Sequence, residues 1–175
     1  MDNNLVIAAI GTNSPTIIEE LTRAVSDCGC NIGDSRLTIM GNELCAQMIV
    51  TGSWDAIAKI EDTLRRREQK LGVTIITRRT TCPANARKLM PYAIDVVGLD
   101  QAGIVHNIVK FIVDNNIIIQ DIETHTYQAS STTTTMFSLH MNINIPSELS
   151  IASIRGDFMD YCDQLNLDAI MEPVK

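Results

Sequence analysis

Two stretches of this 175-residue chain follow one pattern, 87 positions apart. Gly11 aligns with Gly98, Ile17 with Ile104, Leu21 with Ile108, Val25 with Ile112, Ile32 with Ile119 and Asp34 with Asp121. Further along, Ile57 aligns with Ile151 and Leu64 with Phe158 at an offset of 94, so about seven residues are added to the second copy in between. A repeat of this period demands a repeated structural unit with its own core. The 45% hydrophobic content is enough to fill two such cores.

Each copy predicts the same order of elements. Leu5 to Gly11 is a short apolar run, read as a buried strand. Ser14 and Pro15 then open a helix with Ile17, Leu21, Ala24, Val25 and Cys28 at helical spacing, closed by Gly29. Asn31 to Met40 and Glu43 to Thr51 read as strands joined by a tight Gly41-Asn42 turn. Ser53 caps a second helix whose one face carries Trp54, Ile57, Ile60, Leu64 and Leu71, and Gly72 ends it before a strand from Val73 to Arg79.

The order then restarts. Tyr92 to Gly98 is a strand, Gly103 to Asn115 a helix, and Ile117 to Tyr127 a strand. Residues 129–134, Ala-Ser-Ser-Thr-Thr-Thr, form a polar hairpin tip. After it Phe137, Leu139, Met141, Ile143 and Ile145 alternate with polar residues, the clearest period-two signal in the chain. Ser147 is expected to cap a last helix facing inward through Ile151, Ile154, Phe158, Tyr161 and Leu165, followed by a strand from Asp168 to Pro173.

Each half therefore reads β-α-β-β-α-β, the split βαβ order of an α+β, ferredoxin-like fold: an antiparallel sheet with both helices on one face. The expected domains are 1–81 and 91–175, with 82–90 as linker. A sheet open on one face invites a neighbour, so packing of the halves and self-association into a homo-oligomer are expected.

Composition narrows the function. The net charge of −7 divides into −1 for residues 1–85 and −6 for residues 86–175, which opposes direct binding to nucleic acid. Aromatic content of 4% lacks the exposed sheet aromatics of an RNA recognition module. Arg65-Arg66-Arg67 reads as a solvated helix face, because consecutive residues spread around a helix and Glu61, Asp62 and Glu68 lie within pairing range. No apolar run approaches the roughly 20 residues of a membrane span, and the start lacks a signal-peptide pattern, so a cytoplasmic protein is expected.

The five cysteines, Cys28, Cys30, Cys45, Cys82 and Cys162, follow no disulfide or zinc spacing. The three histidines have no i, i+4 pair for a metal. No nucleophile elbow, phosphate loop or metalloprotease motif is present, and no enzyme, metal or cofactor is expected. What remains is Gly98-Leu99-Asp100-Gln101-Ala102-Gly103-Ile104-Val105, a glycine-bracketed turn between a strand and a helix. Without a Cβ in the way, its backbone N–H groups can crowd toward an anionic or zwitterionic guest.

With turn, repeat and fold order in place, the sequence resembles a tandem pair of ACT domains along nearly its whole length. Asp100-Gln101-Ala102-Gly103-Ile104-Val105 looks like that family's Asp-x-x-Gly-hydrophobic-hydrophobic turn, and Asn31-Ile32 like its Asn-Ile start of the second strand. Two such domains and little else is similar to the glycine cleavage system transcriptional repressor family. That resemblance implies an amino-acid effector, glycine or a relative, and a protein partner such as a DNA-bound activator. The alternative is an ACT-type interaction module that regulates an enzyme without a small molecule.

The resemblance implies ligand positions where the turn meets the start of the second strand, often across an interface with another ACT domain. In the second half these are Asp100, Gln101, Ala102, Gly103 and Ile104, expected beside Gln120 and Asp121; in the first half, Asn13, Ser14 and Asn31. Thr16 stands where the glycine would be, and Ile118 where Asn31 would be, so neither half carries the full pattern. A composite site joining the Gly103 turn of one domain to Asn31 of another would restore it.

Overall fold

In the computed structural model the chain divides at the 84/85 boundary into two compact units. The structure describes residues 3–81, 88–129 and 133–174. Residues 82–87 of the expected linker, Cys82, and Ser130 to Thr132 of the polar tip lie outside the described residues.

The first unit runs β1 (Asn3–Thr12), α1 (Pro15–Asp27), β2 (Asn31–Met40), β3 (Glu43–Gly52), α2 (Trp54–Leu71) and β4 (Val73–Thr80), with sheet order β2-β3-β1-β4. The second repeats it as β5 (Leu89–Leu99), α3 (Ile104–Asp114), β6 (Ile118–Gln128), β7 (Thr135–Pro146), α4 (Ile151–Gln164) and β8 (Leu167–Pro173), with order β6-β7-β5-β8. Every pairing is antiparallel. Both units thus have the ferredoxin-like α+β architecture expected from the repeat.

Period-two alternation decides which face each strand buries. In β1 Leu5, Ile7 and Ala9 are buried while Val6 and Ile10 are exposed, and in β7 the buried set is Phe137, Leu139, Met141, Ile143 and Ile145. The helices close each core from the same side. Ile17, Leu21, Ala24 and Val25 of α1 meet Ile57, Ile60 and Leu64 of α2, and Ile104, Ile108 and Ile112 of α3 meet Ile154, Phe158 and Cys162 of α4. Phe111 adds a ring contact to Phe158 at 5.3 Å between centroids.

The aligned glycines have a steric cause. A Cβ on Gly98 would lie 2.4 Å from Leu167 Cδ2, and one on Gly11 would lie 2.6 Å from Val73 Cγ1. In each unit the first strand therefore passes the start of the last at a distance only glycine allows.

Four expectations need correction. Leu89 and Met90, read as linker, pair with Pro146 and Ile145 in β5. Pro91 does not block that strand, because Val174 N–H donates to its carbonyl at 3.1 Å and its missing N–H faces the same side, beyond the last ladder pair Tyr92–Pro173. The cap of α4 is Ser150, whose hydroxyl accepts from Ser153 N–H at 3.5 Å, because Pro146 to Leu149 form a turn instead. Trp54 is 62% exposed at the first position of α2, where Arg79 lies over its ring at 5.9 Å. Tyr161, expected inward, is only half-buried, and the fully buried position beside it is Cys162, whose thiol burial pushes up to about 11.

Phe158→Ala is expected to lower the stability of the second unit by about 3–5 kcal/mol, the usual cost of emptying a core aromatic site. Urea unfolding followed by circular dichroism measures it, and a loss below about 1 kcal/mol would contradict the core position.

Candidate functional site

The two turns differ in build. After β5 the chain runs through Asp100, Gln101 and Ala102, all exposed, to Gly103 at φ 93°, ψ −5°, and α3 starts at Ile104. A left-handed backbone of this kind strains any residue with a side chain. The first-turn N–H groups of α3 have no intrahelical acceptors, as at every helix start, and carry the positive end of the helix dipole. They can meet a carboxylate, while the Asp100 carboxylate can meet an ammonium group.

In the first unit α1 begins two residues earlier in the alignment, at Pro15. Thr16, which stands where the glycine would be, is consequently inside the helix, in ordinary helical backbone. The loss is of donors: Pro15 has no N–H, and Ile17 N–H is already given to Ser14 O at 3.1 Å. Asn13 is exposed and Ser14 is half-buried, with no side-chain capping bond.

Each turn is tied to the tip of its neighbouring hairpin, which the sequence did not announce. Asn13 N–H donates to Asn42 O at 2.9 Å, and Asp100 N–H donates to Thr135 O at 3.1 Å. The shape of the turn is therefore coupled to the β2–β3 tip in one unit and to the longer β6–β7 tip in the other.

The second-strand candidates sit elsewhere. Asp121 is opposite Asn142, itself opposite Ala93, so six residues of β5 separate it from Leu99 at the turn, about 20 Å at strand rise. Asn31 is opposite Thr51 and so level with Asn4, eight residues or about 27 Å from Thr12. Within one unit the turn and the strand start do not meet, contrary to the expectation that Gln120 and Asp121 lie beside Asp100–Ile104. An up-running first strand, a down-running helix and an up-running second strand necessarily put those features at opposite ends of the sheet.

Both strand starts are nevertheless specialised. The ladder slips between Ile32 and Ser35 in β2 and between Ile119 and Asp121 in β6, at equivalent positions of the two copies. Gln120 is the residue left out of pairing in the second bulge. Asn142 Nδ2 donates to Asp121 Oδ1 at 2.9 Å and holds that carboxylate on the sheet face away from the helices.

Other groups have structural partners. Arg79 forms a two-pronged pair with Glu61 at 3.1 and 2.7 Å, which holds the Glu61 carboxyl below its usual range. Arg66 pairs with Asp62 at 2.5 Å and Arg67 with Glu20 of α1 at 2.9 Å, so much of the arginine run is tied to carboxylates. A cavity of about 630 Å³ lined by Asn3, Asn4 and Arg78–Thr81 lies at the end of the first sheet away from the turn. Among the described residues no three His, Cys, Asp or Glu side chains are grouped to hold a metal, and no described helix is long and apolar enough to cross a membrane.

His140 Nδ1 lies 2.7 Å from Asp95 Oδ1 on the neighbouring strand. That hydrogen bond, reinforced by the charges of Asp95, Asp121 and Glu123, raises the imidazole pKa above its ordinary value near 6.5. The protonated pair therefore stabilises the fold fully below about pH 6.5, and the contribution is lost as pH rises through the higher folded value. Asp95→Asn is expected to lower the His140 pKa, read from its ring proton shifts; an unchanged titration would contradict the pairing.

A family model described as ACT domain matches residues 3–77. The glycine cleavage system transcriptional repressor of Escherichia coli (strain K12) is 34% identical over 165 residues, which are 93% of this chain and 85% of that protein. A solved structure of an unknown protein from Galdieria sulphuraria matches over all of both chains with a TM-score of 0.81 at 20% identity. Another, of a protein provisionally assigned as a glycine cleavage system transcriptional repressor, matches over 100% of this chain and 99% of that one with a TM-score of 0.73 at 24% identity. At these identities the two structures establish the fold alone.

Proposed function

Because this chain belongs to the family of glycine cleavage system transcriptional repressors, with an ACT fold in two tandem domains, we propose that it is an amino-acid-responsive repressor of the glycine cleavage system acting through a protein partner. The observation that carries the reading is the 34% identity to the Escherichia coli repressor across 93% of the chain. The effector is glycine or a close relative, and the partner is a DNA-bound activator. The net charge of −7 supports action without direct DNA contact.

The effector's carboxylate meets the N–H groups around Gly103 at the start of α3, and its ammonium group meets carboxylate or amide oxygens of the Asp100, Gln101, Gln120 and Asp121 set. The roughly 20 Å between turn and strand start supports a site completed by a second copy. Antiparallel pairing of two β6 edges brings the start of one toward the turn end of the other. The pairing of β2 edges would do the same for Asn31 with Asn13 and Ser14. Glycine then favours one packing over another, and partner affinity changes only as far as that preference reaches. No catalytic step is assigned to the protein.

The separation of the two half-sites also favours a second reading, an interaction module that needs no small molecule. Titration calorimetry separates the two. Glycine is expected to bind the wild type and to bind Gly103→Val at least tenfold more weakly, and to change capture of the DNA-bound activator in the same concentration range. Absence of binding across a panel of amino acids, with partner capture intact, would overturn the sensor and leave the module.

A further inference from the structure

The cavity of about 630 Å³ at the end of the first sheet is lined, among the described residues, only by polar side chains: Asn3, Asn4 and Arg78 to Thr81. Two guanidinium groups and no carboxylate are in that lining. Register explains how the groups come together. Thr51, Asn4 and Thr80 stand level on three adjacent strands, about 4.8 Å apart, on the sheet face away from the helices. Arg78 shares that face two residues along β4, about 7 Å from Thr80. Thr51 Oγ1 donates to Asn4 Oδ1 at 3.0 Å, which turns the oxygen of that amide toward β3 and its nitrogen away from it.

The two arginines differ. Arg79 lies on the helix side, where Glu61 neutralises it and Trp54 lies under it. Arg78 is exposed and has no carboxylate partner among the described residues. Asp34 is three strands away in the β2 bulge, about 14 Å at the strand spacing, and Glu43 is at the opposite end of the sheet. A planar fork of N–H donors without a carboxylate of its own, set beside amide and hydroxyl donors, is the chemistry that takes an oxyanion. The second unit keeps the backbone and lacks the groups: Met90, Pro91, Glu172, Pro173 and Val174 stand where the first has Asn3, Asn4, Arg78, Arg79 and Thr80. With Glu172 in the place of Arg78, that copy repels what the first unit attracts.

We infer that the first unit carries an oxyanion site at this end of its sheet, in which the Arg78 guanidinium takes a carboxylate or phosphate group of a small ligand and Asn4 and Thr80 donate to it. The site is at the opposite end of the sheet from Asn13 and Ser14, and in a different unit from the Gly103 turn. It therefore stands or falls independently of the amino-acid effector.

Inorganic phosphate and acetate are the probes, each titrated into the full chain without glycine, at constant ionic strength, and followed by two-dimensional proton–nitrogen NMR. Saturable shifts are expected at the backbone amides of Asn4, Arg78 and Thr80. Arg78→Gln is expected to weaken binding by about tenfold or more, while Arg66→Gln, which removes an arginine already paired with Asp62, leaves it unchanged. A response to acetate alone identifies the ligand group as a carboxylate, and a response to phosphate alone identifies it as a phosphate. No saturable shift with either anion, shifts that chloride reproduces, or a folded Arg78→Gln chain that binds as the wild type does would overturn the proposal.

Discussion

Antiparallel register is the constraint on which the rest of this structure depends. Once Ile7 pairs with Met48 and Thr77, and Ile94 with Met141 and Met171, every other residue of eight strands is assigned to a buried or an open face. The helices cover one face because their apolar stripes, Ile17 to Val25 and Ile104 to Ile112, have no other surface to bury against. The same register fixes the distance between a turn and the start of its second strand, and collects the second unit's sheet carboxylates on one side. Core, candidate site and open faces are consequences of one alternation.

Much of this was legible because the relevant signals are local or repeated. The offset of 87 exposed the duplication, and Gly41-Asn42, Ser53 and Gly72 marked a hairpin and both ends of α2. Three-dimensional consequences were less legible. Helical spacing put Trp54 on the inner face, but at the first turn of α2 that face has run past the end of the core, leaving the ring to Arg79. Ser147 had the chemistry of a cap, yet the turn Pro146–Leu149 postponed the helix. At the candidate site the motif residues were readable, but their separation was not, because motif position says nothing of which end of a strand a residue occupies.

Duplication followed by divergence explains the contrast between the units. The steric need for glycine at Gly11 and Gly98 was kept in both, since each faces the first residue of the unit's last strand. The left-handed turn was kept only at Gly103; in the first unit Pro15 starts the helix early and removes a donor. Bulges survive at the start of both second strands, whereas Arg36 and Arg78 of the first unit stand where the second has Glu123 and Glu172. The scaffold is therefore maintained by packing, while the exposed positions on it are free to specialise.

The proposed function rests on an amino acid being held by the backbone at the start of α3. Amide hydrogen exchange of the full chain with and without glycine tests it most directly. Glycine is expected to slow exchange at Ile104, Val105 and His106 more than at Thr16 and Ile18 of the proline-started helix. Unchanged exchange at the start of α3 under conditions where glycine is bound, or greater slowing at α1, would contradict the account.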